Sequence, residues 1–211
     1  MPIVRLPIFY LFLVANTVTW ASADATQVPA GQRHIESLWS LRWKGVARQQ
    51  FDYSCGTGSI TNLIAFLGQP APDEAALIKA YTEKFPTVIE QAVKEGFSLL
   101  DLKRMLGTLG YNSIGVRYEP GTLPDELQPM IVYLVVRGYR HFAVFAGIKE
   151  NQVVLLDSAR GKISISIDRF LLEWDGSALL LDPLPAGVTL PDERVKLPPA
   201  AETVQSTILK N

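Results

Sequence analysis

The sequence predicts a segregated α+β domain, with helices first and an antiparallel sheet after them. Three observations carry that prediction. Apolar residues recur at helical spacing between Cys55 and Leu109, and short apolar or alternating runs take over after Gly110. Glu150-Asn151 then separates two such runs, as a tight hairpin turn does. The domain is expected to cover residues 37–182, an ordinary size for one core.

Residues 1–23 read as a signal peptide. Arg5 supplies a positive n-region, Ile8 opens a short apolar run, and Ala21-Ser22-Ala23 offers a cleavage site. The run is shorter than the roughly 18 residues of a spanning helix. The expectation is a periplasmic protein with no stable membrane span after cleavage. Residues 24–36 form a polar leader containing His34, and residues 37–46 a short apolar segment with Leu38, Trp39, Leu41 and Trp43.

A first long helix opens at Cys55, runs through Ile60, Leu63, Ile64 and Leu67, and stops at Gly68. Pro72-Asp73-Glu74 starts the next, with acid in its first turn. Residues 87–95 make a third, closed by Gly96. Ser98 caps a fourth, with Asp101 three residues on and Leu99, Leu102, Met105, Leu106 and Leu109 as its apolar face.

Strands are expected at 111–118 and 129–136, the latter a continuous apolar run and hence central. Two more, 140–149 and 152–156, flank the hairpin turn. Residues 162–167 alternate Ile163, Ile165 and Ile167 with serines, so one face is buried. Asp168 is read as the cap of a short helix over 170–174, and 177–181 as the last strand. Residues 183–211 are a proline-rich tail.

Composition narrows the function. Of 211 residues 48% are apolar, enough for an ordinary core. Removing the signal peptide leaves 19 basic against 21 acidic residues, a net charge of −2 that argues against a nucleic-acid partner. Cys55 is the only cysteine, so no internal disulfide forms, and one Cys with two His offers too few ligands for zinc. No cofactor is expected. In an oxidising compartment an idle accessible thiol is a liability, which favours a cysteine kept for its reactivity.

Cys55 opens a helix, where unpaired N–H groups and the macrodipole favour thiolate. Gln49 or Gln50, just upstream, can offer a side-chain N–H to an oxyanion beside that sulfur. The base must be a histidine. His34 sits in the leader, whereas His141 begins an apolar strand. Asp157 ends the next strand, and antiparallel pairing about Glu150-Asn151 brings it to the open end of the hairpin beside His141. A carboxylate there is expected to accept Nδ1–H and leave Nε2 facing the thiol. Asp157 is also a common residue type for the turn it precedes, Ser158-Ala159-Arg160-Gly161. Asp52 reads as a loop carboxylate.

A Gln six residues before a Cys-Gly helix start, a strand beginning His141-Phe142 and a strand ending at Asp157 before Ala159-Arg160-Gly161 together resemble the C39 family of papain-like cysteine peptidases. Phe170-Leu171, Trp174 and Gly176 extend the likeness, which covers residues 46–181. The resemblance implies a papain-like fold, with Cys55 as nucleophile, His141 as its base, Asp157 as the orienting group and Gln49 as the oxyanion donor. It implies a peptide or protein substrate. Stand-alone exported members include accessory proteases of functional-amyloid secretion, which makes a component of such a system the expected partner. A cell-wall amidase of the NlpC/P60 type is one alternative, although its usual Asp-Cys-Ser-Gly differs from Tyr53-Ser54-Cys55-Gly56. A non-catalytic peptide-binding module or chaperone on the same fold is the other.

Overall fold

The computed structural model describes residues 36–123, 128–186 and 188. The expected signal peptide, His34 with the rest of the leader before residue 36, and the tail other than 183–186 and 188 lie outside these. The described chain runs as α1 (Leu38–Trp43), α2 (Cys55–Phe66), α3 (Glu74–Lys84), α4 (Val88–Glu95), α5 (Leu99–Thr108), β1 (Ser113–Arg117), β2 (Met130–Val136), β3 (Tyr139–Lys149), β4 (Gln152–Asp157), β5 (Gly161–Ser166), α6 (Ile167–Glu173) and β6 (Trp174–Leu181). Helices precede sheet, as the patterning predicts.

Caps set the helix starts. Ser37 and Asp73 side chains accept the N–H groups of Ser40 and Ala76. Ser98 and Asp101 form a reciprocal capping box at α5, satisfying two N–H groups that the helix cannot. Gly96, at φ 80°, closes α4 in a conformation that costs other residues a steric penalty.

The six strands are ordered β1-β6-β2-β3-β4-β5, with every neighbouring pair antiparallel. The apolar run of β2 lies inside the sheet, where both faces are covered. On one face Ile131, Phe142, Val144, Leu156 and Leu179 meet the helices in one core. On the other, Met130, Val132, Phe145, Val153 and Leu155 pack with Phe170 in the middle of α6 and Trp174 just after its end. Residues 56–64 of α2 are all buried, so this helix is the centre of the helical layer and packs chiefly on β3. Glu150 and Asn151 both have positive φ, the geometry of a two-residue turn whose twist matches the strands.

Three local expectations are corrected. Ser166, not Asp168, is the N-cap of α6: its hydroxyl accepts the N–H of Arg169, and Asp168 falls in the first turn. Ile167 therefore belongs to the helix. Strand β6 starts at Trp174 rather than 177, because the chain extends directly from the end of α6 and Trp174 pairs with Leu134. Residues 38–43 form a helix with no buried residue; Arg48 lies 4.6 Å from the Trp43 ring and 5.5 Å from Trp39. Among the described residues no helix is long and apolar enough to cross a membrane.

Candidate active site

Cys55 is the first residue of α2 and is half-buried. Ser54 occupies the N-cap position but does not cap with its side chain. Its Oγ donates to the Phe51 carbonyl at 2.9 Å instead, while its own carbonyl accepts the N–H of Gly58 at 2.9 Å. The amides of the first turn are thus left open beside the sulfur. The thiol faces a cleft of about 330 Å³, walled by Gly96 and Ser98 on the helical side and by Tyr133, Arg140 and Asp175 on the sheet side.

His141 near the start of β3 and Asp157 at the end of β4 meet at the open end of the hairpin, whose ladder carries a bulge. In the β3–β4 ladder Gly147 pairs with Val154, but Phe145 pairs with Leu155, leaving Ala146 unpaired. One extra residue exchanges the two faces of the strand beyond it. Beyond it Ala143 and Phe145 lie with Val153 and Leu155 on the α6 face, while Phe142, Val144 and Leu156 join the helical core.

The ladder's continuation puts Asp157 opposite Ala143, so His141 is its diagonal neighbour, roughly 7 Å along the strand. The far end of the imidazole spans that offset. Nε2, not Nδ1, lies 3.0 Å from Asp157 Oδ2, which corrects the expected ring assignment. Cys55 is the other group close enough to act on the ring's proton. The Nε2 approach is off the line of a well-directed hydrogen bond, so charge holds this pair more than alignment does. Burial pulls the His141 pKa down, but the hydrogen bonds and negative charge of Asp157 and Cys55 outweigh it and raise it to about 9. Burial pushes Asp157 up, and the bonds and charges of His141 and Arg160 overcome it, lowering the carboxyl to about 2.

Asp157 is fully buried and serves two purposes at once. Its Oδ1 accepts the N–H groups of Ala159 and Arg160, both at 2.9 Å, and shapes the turn into β5. Its Oδ2 faces His141 and accepts Arg160 Nε at 2.6 Å.

Gln49 lies beside the first turn of α2, and Gln50 is solvent-exposed. The Gln49 Nε2 donates to the Phe51 carbonyl at 2.8 Å, and its Oε1 accepts the Ser158 hydroxyl at 3.0 Å. Three buried groups pin this segment. Asn62 of α2 bonds both the N–H and the carbonyl of Ala47, at 2.7 and 3.0 Å. The Ser158 carbonyl accepts the Gln49 N–H at 2.9 Å. Glu74 of α3 accepts the Gln50 N–H at 2.7 Å and the Thr57 hydroxyl at 2.9 Å. Asp52 stays exposed in the loop.

The four residues expected from sequence thus converge on one region: His141 on Cys55 and Asp157, and Gln49 on the residue after Asp157. Arg160, Ser158, Asn62 and Glu74 were not singled out as site residues. Asn62 did carry a signal, a polar side chain among Ile60, Leu63 and Ile64. Glu74 and Ser158 had none, because only tertiary packing buries them.

A sequence model of the Peptidase C39 family matches residues 44–186. A protein of Pseudomonas fluorescens named "Probable functional amyloid protease FapD" is 29% identical over 79% of this chain and 74% of its own length. Its namesake in Pseudomonas aeruginosa is 27% identical over the same shares. Among solved structures, the peptidase domain of Streptococcus ComA superposes with a TM-score of 0.53 at 21% identity, covering 64% of this chain and 95% of that domain. A double glycine motif protease from an AMS/PCAT transporter, solved with a leader peptide, superposes at 0.50 with 23% identity, over 64% and 89%. These two likenesses bear on the fold alone, and it is the papain-like one.

Proposed function

The chain belongs to the peptidase C39 family and is a cysteine peptidase, and from that premise we propose that it is an exported endopeptidase whose triad is Cys55, His141 and Asp157. Gln49 and the Cys55 backbone N–H are the oxyanion donors in this reading. The observation that carries it is the ion pair of His141 with Asp157 at 3.0 Å, on a ring whose proton Cys55, at the open start of α2, also helps to hold.

The Cys55 thiolate attacks a peptide carbonyl, and the carbonyl electrons move onto the oxygen that Gln49 stabilises. The protonated His141 then gives its proton to the leaving amine as the C–N bond breaks. Water, deprotonated by His141, attacks the thioester and releases the acid, restoring the thiolate and the imidazolium. Asp157 keeps the ring oriented and stabilises its charge throughout.

The substrate is a peptide or protein of the periplasm, and the likeness to two proteins named as probable functional amyloid proteases supports a component of an amyloid secretion system. Comparing periplasmic peptides from wild-type cells with those from cells carrying Cys55→Ser tests this. Loss of fragments from an amyloid-system protein in the variant is the expected result. Identical peptide profiles overturn the reading, and a change confined to peptidoglycan fragments points to a wall amidase instead.

A further inference from the structure

We propose that Ser158 is a positioning residue for the oxyanion site, an inference that rests on the reading of Gln49 as oxyanion donor. Ser158 is 1% exposed and is wedged between Gln49 and α2. A Cβ at Gly58 would stand only 2.6 Å from the Ser158 Cβ and 2.8 Å from its Oγ, so the serine closes directly on the helix backbone. Its hydroxyl and its carbonyl both go to Gln49: the hydroxyl donates to Oε1 at 3.0 Å and the carbonyl accepts the backbone N–H at 2.9 Å.

These bonds settle which end of the carboxamide points where. The Gln49 Nε2 lies 2.8 Å from the Phe51 carbonyl and 3.5 Å from that of Asp52, two groups that only accept. Nitrogen is therefore the end held there, and oxygen the end held by the Ser158 hydroxyl. Of the two amide hydrogens one is taken by Phe51, and the second makes only the long 3.5 Å contact with the Asp52 carbonyl, which an oxyanion can replace. The terminal torsion of a glutamine is broad, so without the hydroxyl the amide swings and that hydrogen loses its aim. Ser158 directly follows Asp157, and one end of β4 thus orients both the base and the oxyanion donor.

The Ser158→Ala variant removes the hydroxyl and keeps both the Cβ over Gly58 and the backbone carbonyl. With p-nitrophenyl acetate as the probe, kcat/KM is expected to fall roughly tenfold, as misplacing a donor does. For Gln49→Ala a fall of roughly a hundredfold is expected. In the Gln49→Ala background the serine change should have no further effect, and the alkaline pH limb should stay where it is. Unchanged kcat/KM in Ser158→Ala, or a tenfold loss that persists without Gln49, overturns the proposal. If wild type and Cys55→Ala hydrolyse the ester equally, the reading of the whole site fails and this inference goes with it.

Discussion

Nε2 of His141 stands 3.0 Å from Oδ2 of Asp157, and that carboxylate helps to hold the ring's proton up to about pH 9. The alkaline limb of kcat/KM should accordingly lie near 9. A pKa raised on folding stabilises the protein fully below the unfolded value of 6.5 and ceases to do so as pH rises through about 9. Asp157→Asn removes the charge and should move the limb down toward the ordinary histidine range near 6.5. A pH–rate profile of both proteins checks it; a limb that stays at 9 in the variant removes Asp157 as the cause.

Arg160 makes the opposite prediction. Its Nε is 2.6 Å from the same Oδ2 and competes with His141 for that charge. Arg160→Gln should raise the Asp157 pKa and also raise that of His141, so the alkaline limb moves up while stability at pH 7 falls by about 1–3 kcal/mol. The acid side follows by sign. Asp157, lowered to about 2, stabilises the fold above 3.8 and stops doing so as pH falls through about 2. Acid unfolding of the variant should begin at higher pH, measured by circular dichroism.

Cys55→Ala should abolish ester and peptide hydrolysis and leave the fold standing, because a half-buried thiol contributes little packing. The loss of stability should stay within about 1 kcal/mol. The His141 pKa should drop, since the sulfur is one of the groups that raise it. NMR titration of the ring reads that shift directly.

Gly161 has φ 84°, and a Cβ there would meet the Arg42 carbonyl at 2.6 Å. It also pairs with Asp157 in the β4–β5 ladder. Gly161→Ala therefore combines backbone strain with a clash against a backbone atom and should cost at least about 2 kcal/mol. A melting temperature equal to wild type would mean that the Arg42 segment yields freely.

Asn62→Ala removes both part-buried bonds to Ala47 and should cost about 1–3 kcal/mol. Because Ala47 leads into Gln49, kcat/KM should fall even at temperatures where the variant is fully folded. Chemical denaturation and ester hydrolysis, run side by side, separate the two effects.

Much of the fold was legible from local chemistry. The Ser98–Asp101 box, the Gly96 stop, the Glu150-Asn151 turn and the apolar run of β2 depend on neighbours within a few residues, and a single sequence contains those. Cys55, His141 and Asp157 were legible for a similar reason: each marks the start or end of an element, and one hairpin relates the last two. The cap of α6 was misread because Ser166 and Asp168 both cap well, and only the actual end of β5 chooses between them.

By itself, then, the sequence determined the order of helices and strands, the helix that Cys55 opens and the hairpin that joins His141 to Asp157. Tertiary structure decided the rest. The bulge at Ala146 arises from how β3 and β4 pair over their whole length, and the packing at the open end of that hairpin sets His141 against Asp157. There Nε2 of the ring faces the carboxylate. Ser158, Asn62 and Glu74 reach Gln49 and its neighbours from separate elements, across separations as large as 109 residues. Such contacts follow from packing a closed core, in which each buried polar group must find whichever partner the fold brings near.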